Sequence, residues 1–118
     1  MSASRSRHPA TALLLALFAC AAATTASAAP DADAATSLAR ANNCFKCHSV
    51  SKDKDGPSFK KTAEKYRGKP DAQAKLVHHL TSGEKAKFPD GHLEDHKIID
   101  TKDDAQIKNL VDWILIQQ

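Results

Sequence analysis

The sequence is short of several things. Its 118 residues include one Trp, one Tyr, four Phe, four Gly and a single methionine, Met1. Aromatics make up only 5%, and no basic stripe carries them interleaved, which excludes the composition of a nucleic-acid-binding surface. The longest apolar run, Ala10 to Ala23, has 14 residues. A membrane-crossing helix needs ~20, so no transmembrane span is expected. Nowhere do apolar and polar residues alternate with the period of two that marks a strand, and no internal repeat is visible. What remains is a small all-α domain.

The first quarter of the chain has the layout of a secretory signal. Arg5 and Arg7 stand ahead of the apolar run with no acid among them, and a small-residue cleavage pattern follows at Ala26-Ser27-Ala28. Residues 1–28 are therefore expected to be removed, leaving 29–118 as one domain in the periplasm. Leu17-Phe18-Ala19-Cys20 competes with this as a lipoprotein box that would lipidate Cys20. Phe18 is unusual there, and the downstream cleavage site is well formed. Once Arg5 and Arg7 leave, 15 basic side chains face 14 acidic ones, which is close to neutrality.

About 90 residues are few for a self-sufficient core, and domains of this size often need a staple. Four helices can be read along them. The first runs from Asp31 to Asn43, with Ala35, Leu38, Ala39 and Asn42 at helical spacing. Ser58 caps a second that runs through Arg67 and stops at Gly68; Pro70 and Asp71 open a third, ended by Gly83. The fourth starts at Thr101 or Asp103 and carries Ile107, Leu110, Val111, Ile114 and Leu115 as an apolar stripe. Between Glu84 and Asp100 the pattern lapses into a long loop, and such loops tend to be functional.

The central signal is Cys44-Phe45-Lys46-Cys47-His48. Two thiols three positions apart at a helix end can reach the two vinyl groups on one edge of a porphyrin, and the next residue then sets an imidazole under the iron. Three other readings of the string exist. A Cys44–Cys47 disulfide suits an oxidising compartment but leaves His48 unexplained. A thioredoxin-like redox motif needs a βαβ context that is missing here. A zinc site could pair the two cysteines with His92 and His96, yet 44 residues separate Cys47 from His92, against about 12 to 15 in a zinc finger.

With these residues in view, the sequence resembles the small monohaem class I cytochromes c of bacteria. The resemblance spans nearly all of residues 29–118: a helix, C-x-x-C-H, Gly56-Pro57, Tyr66 with Arg67-Gly68, a middle helix, and Leu110-Val111-Asp112-Trp113-Ile114-Leu115. It implies four helices wrapped around one covalent haem c, with Cys44 and Cys47 as thioether anchors and His48 as proximal iron ligand. It further implies that the first and last helices cross as a packed pair. The Pro57 carbonyl would accept a hydrogen bond from His48, orienting the ring and raising its basicity.

One departure from the family is informative. Its members usually ligate the far side of the iron with Met, and Met1 leaves with the signal. Histidine is the natural replacement, and His78, His79, His92 and His96 are the candidates. His78 and His79 lie within the third helix and read as packed or solvated. Counting back 17 residues from Trp113, where the family carries its Met, gives His96. Counting forward from Gly83 favours His92 instead. The backward count is the better guide, because extra residues at Lys85 to Asp90 can bulge into solvent while the segment after the ligand must reach a fixed helix.

The resulting expectation is an electron carrier with redox-protein partners, not an enzyme. Replacing the thioether by imidazole removes the ligand that raises the potential, so a low midpoint is expected. The alternative is a haem-based gas or redox sensor, or a peroxidase-like protein, with a labile or absent distal ligand. Lys46, Lys52, Lys54, Lys60 and Lys61 could ring the haem edge and steer acidic partners, or form an ordinary solvated face.

Overall fold

The computed structural model describes Met1 and residues 27–118. Nearly all of the expected signal segment, Cys20 included, lies outside the described residues. Four helices follow in order: α1 (Ala32–Ala41), α2 (Phe59–Tyr66), α3 (Ala72–Ser82) and α4 (Asp104–Leu115), as the sequence predicts. None of them is long and apolar enough to cross a membrane.

Each boundary has a local cause. The Asp31 carboxylate accepts the Ala34 N–H at 2.9 Å, the Ser58 hydroxyl accepts that of Lys61 at 3.2 Å, and Asp103 accepts those of Ala105 and Gln106. Each satisfies a donor that the first helical turn leaves without a partner. The first helix is shorter than predicted. Asn43 adopts a left-handed conformation, which Asn tolerates better than most residues, and the chain tightens into a 3-10 turn over Cys44–Lys46.

The expected loop 84–100 also contains structure. Lys85–Lys87 (β1) pairs antiparallel with Leu93–Asp95 (β2) across a turn at Pro89-Asp90-Gly91. Three-residue strands are too short to show a period of two, and the pairing here is held by cross-strand chemistry. Lys85 opposes Asp95 and bonds it at 2.6 Å.

Helix α1 crosses α4 as the family resemblance implies. Small Ala35 and Ala39 let the two backbones approach, packing into one core with Leu110, Val111, Trp113 and Ile114. Asn109 locks the crossing from its rim: its side-chain carbonyl accepts the Asp31 N–H at 2.8 Å and its amide donates to the Asp31 carbonyl at 2.9 Å. Leu110 is 1% exposed at the centre of this core. Leu110→Ala is expected to cost about 2–5 kcal/mol, the range for buried Leu-to-Ala changes, read as a lowered denaturant midpoint of the holoprotein.

Candidate haem site

The 3-10 turn sets the attachment motif. The amides of Cys47 and His48 both donate to the Cys44 carbonyl, at 3.2 and 3.0 Å, so the two thiols and the imidazole issue from one tight turn. Both cysteines are free and half-buried. Burial pushes the Cys44 thiol above its usual pKa, the opposite of what a redox-active dithiol needs.

His48 is held on three sides. Its Nδ1–H donates to the Pro57 carbonyl at 2.7 Å, its ring stacks on Phe59 with centroids 5.5 Å apart, and Gly56 lies close against its Cε1. A carbonyl can only accept, so Nδ1 carries a proton, and Nε2 is the ring nitrogen left for a metal. Phe59 in turn meets Trp113 edge-on at 5.6 Å and Phe45 at 5.9 Å, joining the site to the α1/α4 core.

Of the loop histidines, the structure brings His96 to the site. Its ring centroid stands 6.2 Å from that of His48, the planes inclined by 51°. Its Nδ1–H donates to the Lys97 carbonyl at 3.0 Å, which again frees Nε2. Burial, followed by the neighbouring His79, holds the imidazole below the ordinary histidine pKa and so in its neutral form.

His92 is engaged elsewhere. Its Nδ1 bonds Asp90, its Nε2 lies 2.9 Å from Glu94, and its ring stacks on Phe88 at 4.4 Å. Among the described residues no three His, Cys, Asp or Glu side chains are grouped to hold a metal ion, so the zinc reading finds no cluster. The bonds to Glu94 and Asp90 raise the His92 pKa. A raised value means that protonated His92 stabilises the hairpin tip fully below the unfolded value near 6.5, and this contribution is lost as pH rises through the folded value. NMR titration should place the His92 midpoint above that of a denatured reference, and the exchange protection of the Gly91 amide should fall over the same interval.

His79, which the sequence reading set aside, also reaches the site. Its ring centroid lies 4.1 Å from that of His96, and its Nδ1–H donates to Glu84 at 2.6 Å. The i, i+1 pair at 78 and 79 did signal that one ring faces inward. The side chain of His78 is 67% exposed and that of His79 30%. Of the five lysines considered for docking, Lys54 donates to the Phe45 carbonyl at 2.6 Å and Lys61 pairs with Asp53 at 2.7 Å.

The sequence model of the cytochrome c family matches residues 32–117, which include every element of this site. The chain belongs to the cytochrome c family. Among relatives, this cytochrome is 37% identical over 87 residues to cytochrome c-551 of Allochromatium vinosum, covering 74% of this chain and 89% of that protein. Among solved structures, the class 1 cytochrome MtoD of Sideroxydans lithotrophicus ES-1 is 74% identical with a TM-score of 0.71, covering 74% of this chain and 96% of that one. Wild-type cytochrome c552 of Nitrosomonas europaea is 32% identical with a TM-score of 0.56, covering 70% and 99%. This cytochrome is thus a small class I electron-transfer protein with covalent haem c and iron, a carrier between redox partners and not an enzyme. The residues present fit that group: two free thiols at thioether spacing, a His48 whose Nδ1 is bonded to the Pro57 carbonyl and whose Nε2 is left for the iron, and a Gly56 whose missing side chain makes room for the ring.

Proposed function

We propose that this cytochrome is a periplasmic, low-potential electron carrier whose iron is ligated by His48 and His96. The carrying observation is the relation between the two imidazoles. Two rings bound to one ion from opposite sides, with metal–nitrogen bonds of about 2.0–2.1 Å and ring centres about 1.15 Å behind the ligating nitrogens, have centroids about 6.3–6.5 Å apart. His48 and His96 stand at 6.2 Å, each with Nδ1–H tied to a backbone carbonyl and Nε2 free. The backbone holds His96 there: its N–H donates to the Glu84 carbonyl at 3.0 Å and that of Ile99 to Leu80 at 2.9 Å. A ligand fixed at both ends supports the carrier over a sensor with a labile sixth position.

When bound, the haem supplies a one-electron iron couple. Cys44 and Cys47 anchor it, Pro57 fixes the tautomer of His48 and raises its basicity, and Lys97 does the same for His96. A second imidazole in place of a thioether lowers the potential. Export rests on the basic and apolar segments ahead of Ala26-Ser27-Ala28, with cleavage before Ala29 favoured over lipidation at Cys20. Mass spectrometry of the mature N-terminus distinguishes these.

Low-temperature EPR of the oxidised protein tests the ligand set. The parent should be low-spin and unmoved by CO when reduced. His96→Ala should become high-spin with new CO affinity, while His92→Ala should keep the low-spin spectrum. The double variant His79→Phe/His96→Ala closes the route by which the adjacent imidazole could substitute. The reverse behaviour of the single variants would make His92 the ligand, and a high-spin parent would favour the sensor.

A further inference from the structure

We infer that Glu84 and His79 are a positioning pair for His96, setting the angle at which its ring is presented opposite His48. The inference rests on the bis-histidine reading above and concerns residues that touch the ligand and not the iron. Glu84 acts at two points. Its main-chain carbonyl accepts the His96 N–H at 3.0 Å, and its carboxylate accepts Nδ1–H of His79 at 2.6 Å. Gly83, with φ of +69°, turns the chain back on α3, so that Glu84 reaches both rings of the last turn, His78 lying at 3.7 Å. The tethered His79 ring then packs on that of His96 at 4.1 Å, tilted by 43°.

Rotation of an imidazole about its outer side-chain bond is broad and roughly twofold, so it has no sharp intrinsic preference. The bond to the Lys97 carbonyl fixes one edge of His96 but leaves the ring free to rock about that contact. His79 removes this freedom, and Glu84 keeps His79 in place. Ion pairs this exposed add little to stability. The effect to seek is therefore in the electronic structure, because the mutual angle of two axial imidazoles sets the splitting of the iron d orbitals and hence the g-values of the low-spin ferric state.

The test uses the oxidised holoprotein and four single variants. His79→Ala and Glu84→Ala, the latter retaining the main-chain carbonyl, should shift or broaden the low-spin g-values. Cyanide should displace the distal ligand about tenfold faster, the lower end of what losing an outer-shell partner costs. Glu84→Gln keeps an acceptor for His79 and should retain the parent g-values. Parent-like g-values and cyanide kinetics in both alanine variants would overturn the positioning pair while leaving the ligand set intact. A low-spin spectrum unchanged in both His96→Ala and the double variant His79→Phe/His96→Ala would overturn the ligand set, and the pair with it.

Discussion

Gly56→Ala should abolish the low-spin spectrum of the holoprotein and reduce its yield. A Cβ at position 56 would stand 2.4 Å from Cε1 of His48, 2.8 Å from Nδ1 and 3.0 Å from Nε2, the first two closer than real Cβ atoms come to a neighbour. The ring has nowhere to retreat. Phe59 stacks against it at 5.5 Å, and Phe59 is itself only 4% exposed in the core. Relief requires swinging His48 off the Pro57 carbonyl, which frees the tautomer and moves Nε2 from its place. Loss of such a partner alone costs about 10–100-fold in ligand affinity, and the steric displacement adds to it. Absorption and EPR spectra of purified protein are the measurement. Gly68→Asn is the control: nothing lies within 4 Å of a Cβ there, and Asn tolerates the positive φ, so its spectrum should match the parent.

His96→Met should raise the midpoint potential by on the order of a hundred millivolts or more, within the roughly 0.8 V that axial ligands span. Met suits the exchange because its unbranched, rotatable thioether adapts to irregular space. The main-chain bond from residue 96 to the Glu84 carbonyl does not depend on the side chain, so the loop should keep its path. A redox titration against the parent reads the shift directly. An unchanged potential with an unchanged low-spin spectrum would remove His96 from the iron.

The helices were legible in the sequence because their determinants are local. Asp31, Ser58 and Asp103 are side-chain caps, Gly83 is a left-handed stop, and the α4 stripe is buried at Ile107, Leu110, Val111 and Ile114. The attachment motif and Pro57 were legible for the same reason, since their partners lie within ten positions. The hairpin was not, because its register depends on Lys85 meeting Asp95 and on the turn at Pro89-Asp90-Gly91, neither of which produces a periodic pattern. His79 was missed on different grounds. Its importance arises from proximity to His96, 17 residues away, and a helical histidine gives no sign of what a loop will lay against it. Asn42 is similar: buried at the end of α1, it accepts the Asp100 N–H at 2.8 Å across 58 positions.

The bond between the His96 N–H and the Glu84 carbonyl closes the base of the hairpin at a single point. Everything from residue 85 to 95 lies outside that clasp. The entropy of closing such a loop grows only slowly with its length, so the segment can lengthen, shorten or be exchanged at modest cost while the clasp holds. The hairpin is in that sense a cassette: a graft site a few residues from the haem site, where a recognition peptide or a reporter can be inserted without re-engineering His96 behind it.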